Sequence, residues 1–545
     1  MPLPPPPPKL PAQIQILSGA ELWLDDGRKA EAKAGLGVAL RGGRILAIAP
    51  PGQLARRFPK AIRTDLQGGT LLPGLIEGHV HVGEYEALFE DADLRGAGRE
   101  EVDARIRTWM AAHPEGWARG RGWDQNLWAS KAFPSAAELD ALTGDRPAFL
   151  DRVDGHAIWA NHAALKAAGI TRDTPDPAGG RILRDAAGEP TGILLEGPAC
   201  DLVAKRMPPP TPRMREAQLL AGMTRLRAFG FTSLTDIDIT GPELAAYRRL
   251  AARGRLPLRV FSYVRTQDPG WERLLPARPA KASGWFQLMG AKFYMDGALG
   301  SRGARLLAPY ADAPEGAGIP VQSGAAVSRG VSFTMGRGFQ AAVHAIGDAG
   351  NHDALDILER AIAAHPGAPK PRIEHCQILA DGDAARFGRL GIIASMQPIH
   401  CASDHAWTPA RLGPAREHEA YRWRDLLDGG ATLAFGSDAP NDLPSPWEGL
   451  SAAETRQDAQ GDPPGGWLPA QKLSREEALR AYTLGNARAL GRTDLGALKP
   501  GASADLLWVP APILALKPGE LRSLRPGRIW ISGREVPTSE LKAAP

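Results

Sequence analysis

Apolar and polar residues alternate in short runs around Ile14 to Leu24, Gly37 to Leu40 and Arg44 to Ile48, with Asp-Asp-Gly and Arg-Gly-Gly turn signals between the runs. A period of two with that punctuation predicts small antiparallel strands. Ala504 to Val509 and Arg528 to Val536 have the same texture, the latter with Ser532-Gly533 placed as a hairpin turn. The two ends, 13–72 and 498–545, are therefore expected to form one small β domain.

Between them the pattern changes. Short strand candidates alternate with longer Ala/Leu/Arg-rich stretches, for instance Arg213 to Phe229 followed by Thr232 to Leu234. Repeated strand-then-helix units predict an α/β region with a parallel sheet, open or closed into a barrel, over 73–497. Residues 84–212 break the rhythm with Gly120-Arg-Gly-Trp-Asp and Thr174-Pro-Asp-Pro-Ala-Gly-Gly, and read as an insertion covering the barrel mouth. Gly316 to Gly338, rich in Gly and Ser, reads as poorly helical for the crossover expected between the fourth and fifth strands. Residues 1–12, with prolines from Pro4 to Pro8, read as a solvated polyproline tail.

Composition adds exclusions. The 545 residues carry 65 Lys+Arg against 61 Asp+Glu, a net charge of +4, with no dense basic run. Nucleic acid and acidic membranes are thus not expected partners, and a small-molecule substrate is. Cys200, Cys376 and Cys401 are too few and too scattered for a disulfide framework or a structural zinc site. With no long apolar run and no basic start before an apolar core, a cytoplasmic protein is expected. A homo-oligomer stays open.

The strongest local signal is Leu71-Leu-Pro-Gly-Leu-Ile-Glu-Gly-His-Val-His, in which His79 and His81 close an apolar run. On a strand, residues i and i+2 share a face, so two imidazoles can reach one ion. Four further polar residues stand within or at the end of apolar runs: Lys292, His344, His375 and Asp438. In parallel barrels the carboxyl ends of the strands meet at one mouth, which brings such residues together. Taken singly, each is as well explained as a satisfied core or rim residue.

In this series the chain resembles the metal-dependent amidohydrolase superfamily, and within it amidohydrolase family 3, the branch that contains N-substituted formamide deformylase. The likeness rests on His79-x-His81, Lys292, His344, His375 and Asp438. It is supported by Gly122-Trp-Asp, Asp154-Gly-His, Met295-Asp-Gly-Ala-Leu-Gly-Ser-Arg, Glu374-His and Thr483-Leu-Gly-Asn-Ala-Arg, and spans about residues 15 to 535. The resemblance implies a (β/α)8 TIM-like barrel with a small β-sandwich formed by both chain ends and an α/β insertion after the first barrel strand. It also implies one or two divalent metals, Zn²⁺ foremost, held by the six residues. Lys292 is then N6-carboxylated, a carbamate bridging two ions. Without that modification, one ion on His79, His81 and Asp438 is the fallback.

Such ions lower the pKa of bound water toward neutrality, and Asp438 is placed to take its proton and return one to a leaving amine. The expected reaction is hydrolysis of a carbon–nitrogen bond in a small N-acyl or N-formyl compound. Ester, lactone or cyclic-amide hydrolysis at the same site, and a non-catalytic binding or regulatory role, are the alternatives. His400 is a candidate oxyanion helper. Trp123, Asp124, Asp154, His156, Arg302 and Gln397 are candidate substrate contacts, each with a structural reading beside it. Asp236 is expected to orient a neighbour, and Cys376 to be buried packing.

Overall fold

The computed structural model describes residues 13–153, 157–177, 180–280, 284–537 and 539. The chain divides into two compact units, one of Met1–Val82 with Arg215–Pro545 and one of Gly83–Met214.

Eight parallel strands form the centre of the first unit: β1 (Leu75–Val80), β2 (Phe231–Ile239), β3 (Arg259–Arg265), β4 (Phe286–Tyr294), β5 (Gln340–Ala345), β6 (Arg372–His375), β7 (Ile393–Met396) and β8 (Thr432–Phe435). Each pairs with its neighbours in sequence order, as a right-handed βα succession requires. All nine residues of β2 are buried, the continuous burial typical of a strand covered on both faces. Helices between strands begin at strong caps. Thr240 and Glu243 form a capping box ahead of Gly241–Ala252.

The crossover between β4 and β5 differs from the sequence expectation. A 13-residue helix, Gly324–Gly336, occupies it, with the Ser323 side chain accepting from the Ala326 N–H. Val327, Val331 and Met335 recur on its buried face, so the apolar period outweighs the weak helix propensity of its glycines and serines.

No ladder joins β8 to β1, and the barrel is nearly closed there by side chains. Asn486 Nδ2 donates to the Ile76 carbonyl on β1 at 2.7 Å and to the Phe435 carbonyl on β8 at 2.8 Å. Glu77 Oε1 accepts from the N–H groups of His79 (3.0 Å) and Ser437 (2.8 Å). Burial of Glu77 pushes its carboxyl up to about 7.

Both chain ends contribute two further sheets to this unit. One has the order Arg44–Ala49, Gly37–Arg41, Gln15–Ser18, Ile62–Asp65, and the other runs from the Arg528–Ile531 and Arg534–Glu535 hairpin through Leu506–Val509 and Thr70–Pro73 to Glu21–Asp25 and Ala30–Lys33. They share one core, with Leu17, Val38 and Leu40 against Leu22, Leu71, Leu506 and Trp530. Ser532 and Gly533 both have positive φ, as the expected tight hairpin turn needs. Asp505 ties this sandwich to the barrel through an ion pair with Arg259 at 2.6 Å.

The second unit is a six-stranded mixed sheet, from Arg181–Arg184 to Ala92–Asp93, with helices including Arg99–Ala112 and Ala136–Thr143. Trp123, Trp128 and Trp159 lie in its core. Among the described residues no helix is long and apolar enough to cross a membrane.

Candidate metal centre

His79 lies at the carboxyl end of β1 with Glu77 on the same face, and His81 follows just beyond the strand. The Nε2 atoms of His79 and His81 stand 3.2 and 3.1 Å from a single oxygen, Asp438 Oδ1. Asp438 comes three residues after β8, at φ 60°. Asn441 Nδ2 holds its other oxygen at 2.9 Å.

His79 Nδ1 faces Glu374 Oε2 at 2.8 Å. A carboxylate only accepts, so the proton sits on Nδ1 and the Nε2 lone pair points at Asp438. That buried Nε2 has no hydrogen-bond partner. Two acceptors facing each other at 3.2 Å fit a cation between them. Glu374 is in turn paired with Arg372, whose Nε lies 2.5 Å from Oε1, both side chains being fully buried. Burial would raise the Glu374 carboxyl, but the Arg372 guanidinium and the His79 bond outweigh it and hold it well below the carboxylate range.

The other imidazoles join the same cluster. The rings of His79 and His375 are 5.0 Å apart, and those of His344 and His375 4.5 Å. Ligand atoms of His79, His375 and Asp438 all lie within 4.8 Å of one another. His375, at φ 76°, closes β6 and turns its Nδ1 to Gln397 Oε1 at 2.9 Å, which leaves Nε2 for the site. Burial, with Lys292 nearby, brings His344 down to about 3, and burial with the neighbouring His344 holds His375 well below the usual range. Both imidazoles are held in their neutral form, the form that can bind a metal. Lys292 on β4 is 1% exposed, and burial lowers its ammonium pKa. Among the described residues no carboxylate pairs with it. Its Nζ lies 5.2 Å from the Tyr294 ring centroid.

All six residues line one cavity of about 530 Å³, together with His400, Asp442, Leu299, Ile346 and Trp407. His400 Nε2 stands 3.9 Å from Asp438 Oδ2 and 3.7 Å from Asp442 Oδ2. Neutral imidazoles, an orphaned Nε2, a carboxylate and an amine in reach of one another are a donor set suited to Zn²⁺ or a similar ion.

Three expected substrate contacts have partners within the protein. Gln397, 1% exposed, sits behind His375 and orients that ring. Asp312 takes the Nε/Nη2 edge of the Arg302 guanidinium, at 3.1 and 2.9 Å. Trp123 has no exposed surface, and its Nε1 donates to the Leu150 carbonyl. Asp124 pairs with Arg152 at 2.9 Å and caps the turn Gln125–Leu127. Asp154 and His156 lie outside the described residues. Asp236 accepts from the Tyr247 hydroxyl at 2.5 Å and from the Val82 N–H at 3.2 Å, anchoring the backbone that follows His81. Cys376 is buried, as expected, and burial pushes its thiol well up.

Sequence reasoning missed Arg372, Asn441, Asp442 and Asn486. Arg372 was open to inference, since it shares a strand face with Glu374 two residues on. Asn441 and Asp442 stand in an irregular loop, where no period identifies them.

Residues 64–537 match the amidohydrolase family. The chain is 32% identical to the Bacillus subtilis protein YtcJ over 88% of its own length and 91% of the relative's. It is 28% identical to an N-substituted formamide deformylase of Arthrobacter pascens, over 95% and 97%. Among solved structures, an uncharacterized metal-dependent hydrolase from Pyrococcus horikoshii superposes with a TM-score of 0.79 at 27% identity, over 93% of this chain and 99% of that one.

Proposed function

Since the chain belongs to the amidohydrolase family and is therefore a hydrolase, we propose that it cleaves the carbon–nitrogen bond of a small N-acyl or N-formyl compound with the help of one or two divalent ions. The observation that carries this reading is the convergence of His79, His375 and Asp438, whose ligand atoms lie within 4.8 Å of one another inside a cavity of small-molecule size.

His79, His81 and Asp438 would hold one ion, and His344, His375 and a carbamate on Lys292 a second. Bound there, a divalent ion acidifies water and polarises a carbonyl. The chain's own groups do the rest. Burial keeps the Lys292 amine accessible in its neutral form, the form that captures carbon dioxide. Asp438, which lines the cavity with its Oδ2 held by Asn441, takes the proton of the attacking water and delivers one to the departing amine. His400, on the same wall, donates to the substrate carbonyl oxygen as negative charge develops on it. Leu299, Ile346 and Trp407 offer apolar surface to the substituent on nitrogen. The likeness to an N-substituted formamide deformylase supports an N-substituted formamide as the first substrate class to try.

The test is hydrolysis of paired amide and ester analogues by zinc-loaded protein. Release of amine from an N-substituted formamide is expected; turnover of the ester alone would overturn the proposed bond class.

A further inference from the structure

A second group of ligand-type side chains lies apart from the catalytic cavity. His405 ends the helix Pro398–Asp404, and Asp458 and Asp462 belong to the loop that follows the helix Pro446–Thr455. One ligand atom from each of the three lies within 4.8 Å of the others. The two segments are brought together only by the fold.

The hydrogen bonds around the trio settle which atoms face inward. His405 Nδ1 is 2.9 Å from the Ala402 carbonyl oxygen, which can only accept, so Nδ1 carries a proton. The opposite nitrogen, Nε2, meets Asp462 Oδ2 at 3.3 Å, and in the neutral ring it presents a lone pair there. The His405 side chain is 8% exposed, and among the described residues no donor faces its Nε2. With the ring neutral, two acceptors face each other here, as at His79 and Asp438. Asp458 is held in place beforehand, its Oδ1 accepting from the N–H groups of Gln460 (2.8 Å) and Asp462 (2.9 Å), with Oδ2 left over. The loop itself is braced by Gln457, whose amide donates to the carbonyls of Gly461 and Pro463.

We propose that His405, Asp458 and Asp462 form a second, non-catalytic site for a divalent transition ion of the Zn²⁺ class. One imidazole and two carboxylates suit such an ion, and Asp462, 64% exposed, leaves the remaining coordination positions to water. The ion fastens the end of the helix that carries His400, Ser403 and Asp404 of the cavity wall to the 457–463 loop. It thereby stiffens that wall without touching substrate.

The competing arrangement is a doubly protonated His405 in a plain ion pair. Equilibrium dialysis of the whole protein against micromolar Zn²⁺, followed by elemental analysis, separates the two. The wild type is expected to hold one more equivalent than His405→Ala or Asp462→Ala. Asp462 is exposed, so its variant folds even where loss of the buried His405 does not. Anomalous diffraction at the zinc edge is expected to show a peak against His405 Nε2. Equal stoichiometry in wild type and Asp462→Ala, with no such peak, would overturn the site. The difference between wild type and variant does not depend on whether the catalytic cavity holds ions, so either assignment can fail alone.

Discussion

The backbone N–H of Asp438 donates to the carbonyl oxygen of His79 at 2.8 Å. This bond crosses from the segment after β8 to the end of β1, where no strand ladder runs, and it places the Asp438 carboxylate against the His79 ring. The candidate metal centre and the closure of the barrel are one construction.

Asp438→Asn isolates the chemistry from that construction. Asparagine adopts positive φ as readily as aspartate, so the bond to His79 persists while the proton-accepting carboxylate is lost. Turnover is expected to fall by about 10²–10⁴-fold, with much of the metal retained, as steady-state kinetics and elemental analysis on one sample would show. Near-normal turnover would remove Asp438 as the proton shuttle.

Lys292→Ala is expected to empty or weaken one metal position. A short carboxylic acid should restore part of the activity by supplying the two oxygens of the missing carbamate. An unchanged metal count would show that the lysine is not a ligand.

Arg372→Leu leaves Glu374 as a buried, unpaired charge. Breaking a buried pair in this way costs about 3–5 kcal/mol, which urea unfolding would measure. An unchanged unfolding midpoint would mean that Glu374 does not need its partner. Glu374 keeps its bond to His79 Nδ1 but loses the guanidinium that fixes its position, so weaker zinc retention is expected alongside.

Asn486→Leu keeps the branched side-chain shape but leaves the Ile76 and Phe435 carbonyls unpaired across the seam, at about 1–3 kcal/mol each. Thermal unfolding should shift downward. Gly436→Ala tests the same seam sterically, because its Cβ would fall 2.4 Å from the His79 backbone nitrogen. Wild-type melting in both variants would show that the seam is held elsewhere.

Much of this was legible along the chain. The alternation at both ends, the Ser532-Gly533 hairpin and the strand-then-helix rhythm are local patterns, and local patterns survive folding. The six metal-ligand candidates were legible because each is a polar residue interrupting or ending an apolar run, and all six line the same cavity. Gln397 and Arg302 have partners that the linear pattern does not disclose: Gln397 Oε1 meets His375 Nδ1, and Asp312 takes one edge of the Arg302 guanidinium.

The sequence by itself determined the strand and helix periods and the α/β class from residue type and spacing, and through its family resemblance it named the closed barrel and the candidate ligands. Tertiary structure alone decided which nitrogen of His79 and His375 faces the centre, since that follows from Glu374 and Gln397 oxygens distant in sequence. It also decided the left-handed backbone at His375 and Asp438 and the bridging of β1 to β8 by Asn486, 410 residues after Ile76. Hydrogen-bond partners and strained dihedrals are properties of spatial neighbours, and a linear chain does not list its neighbours in space.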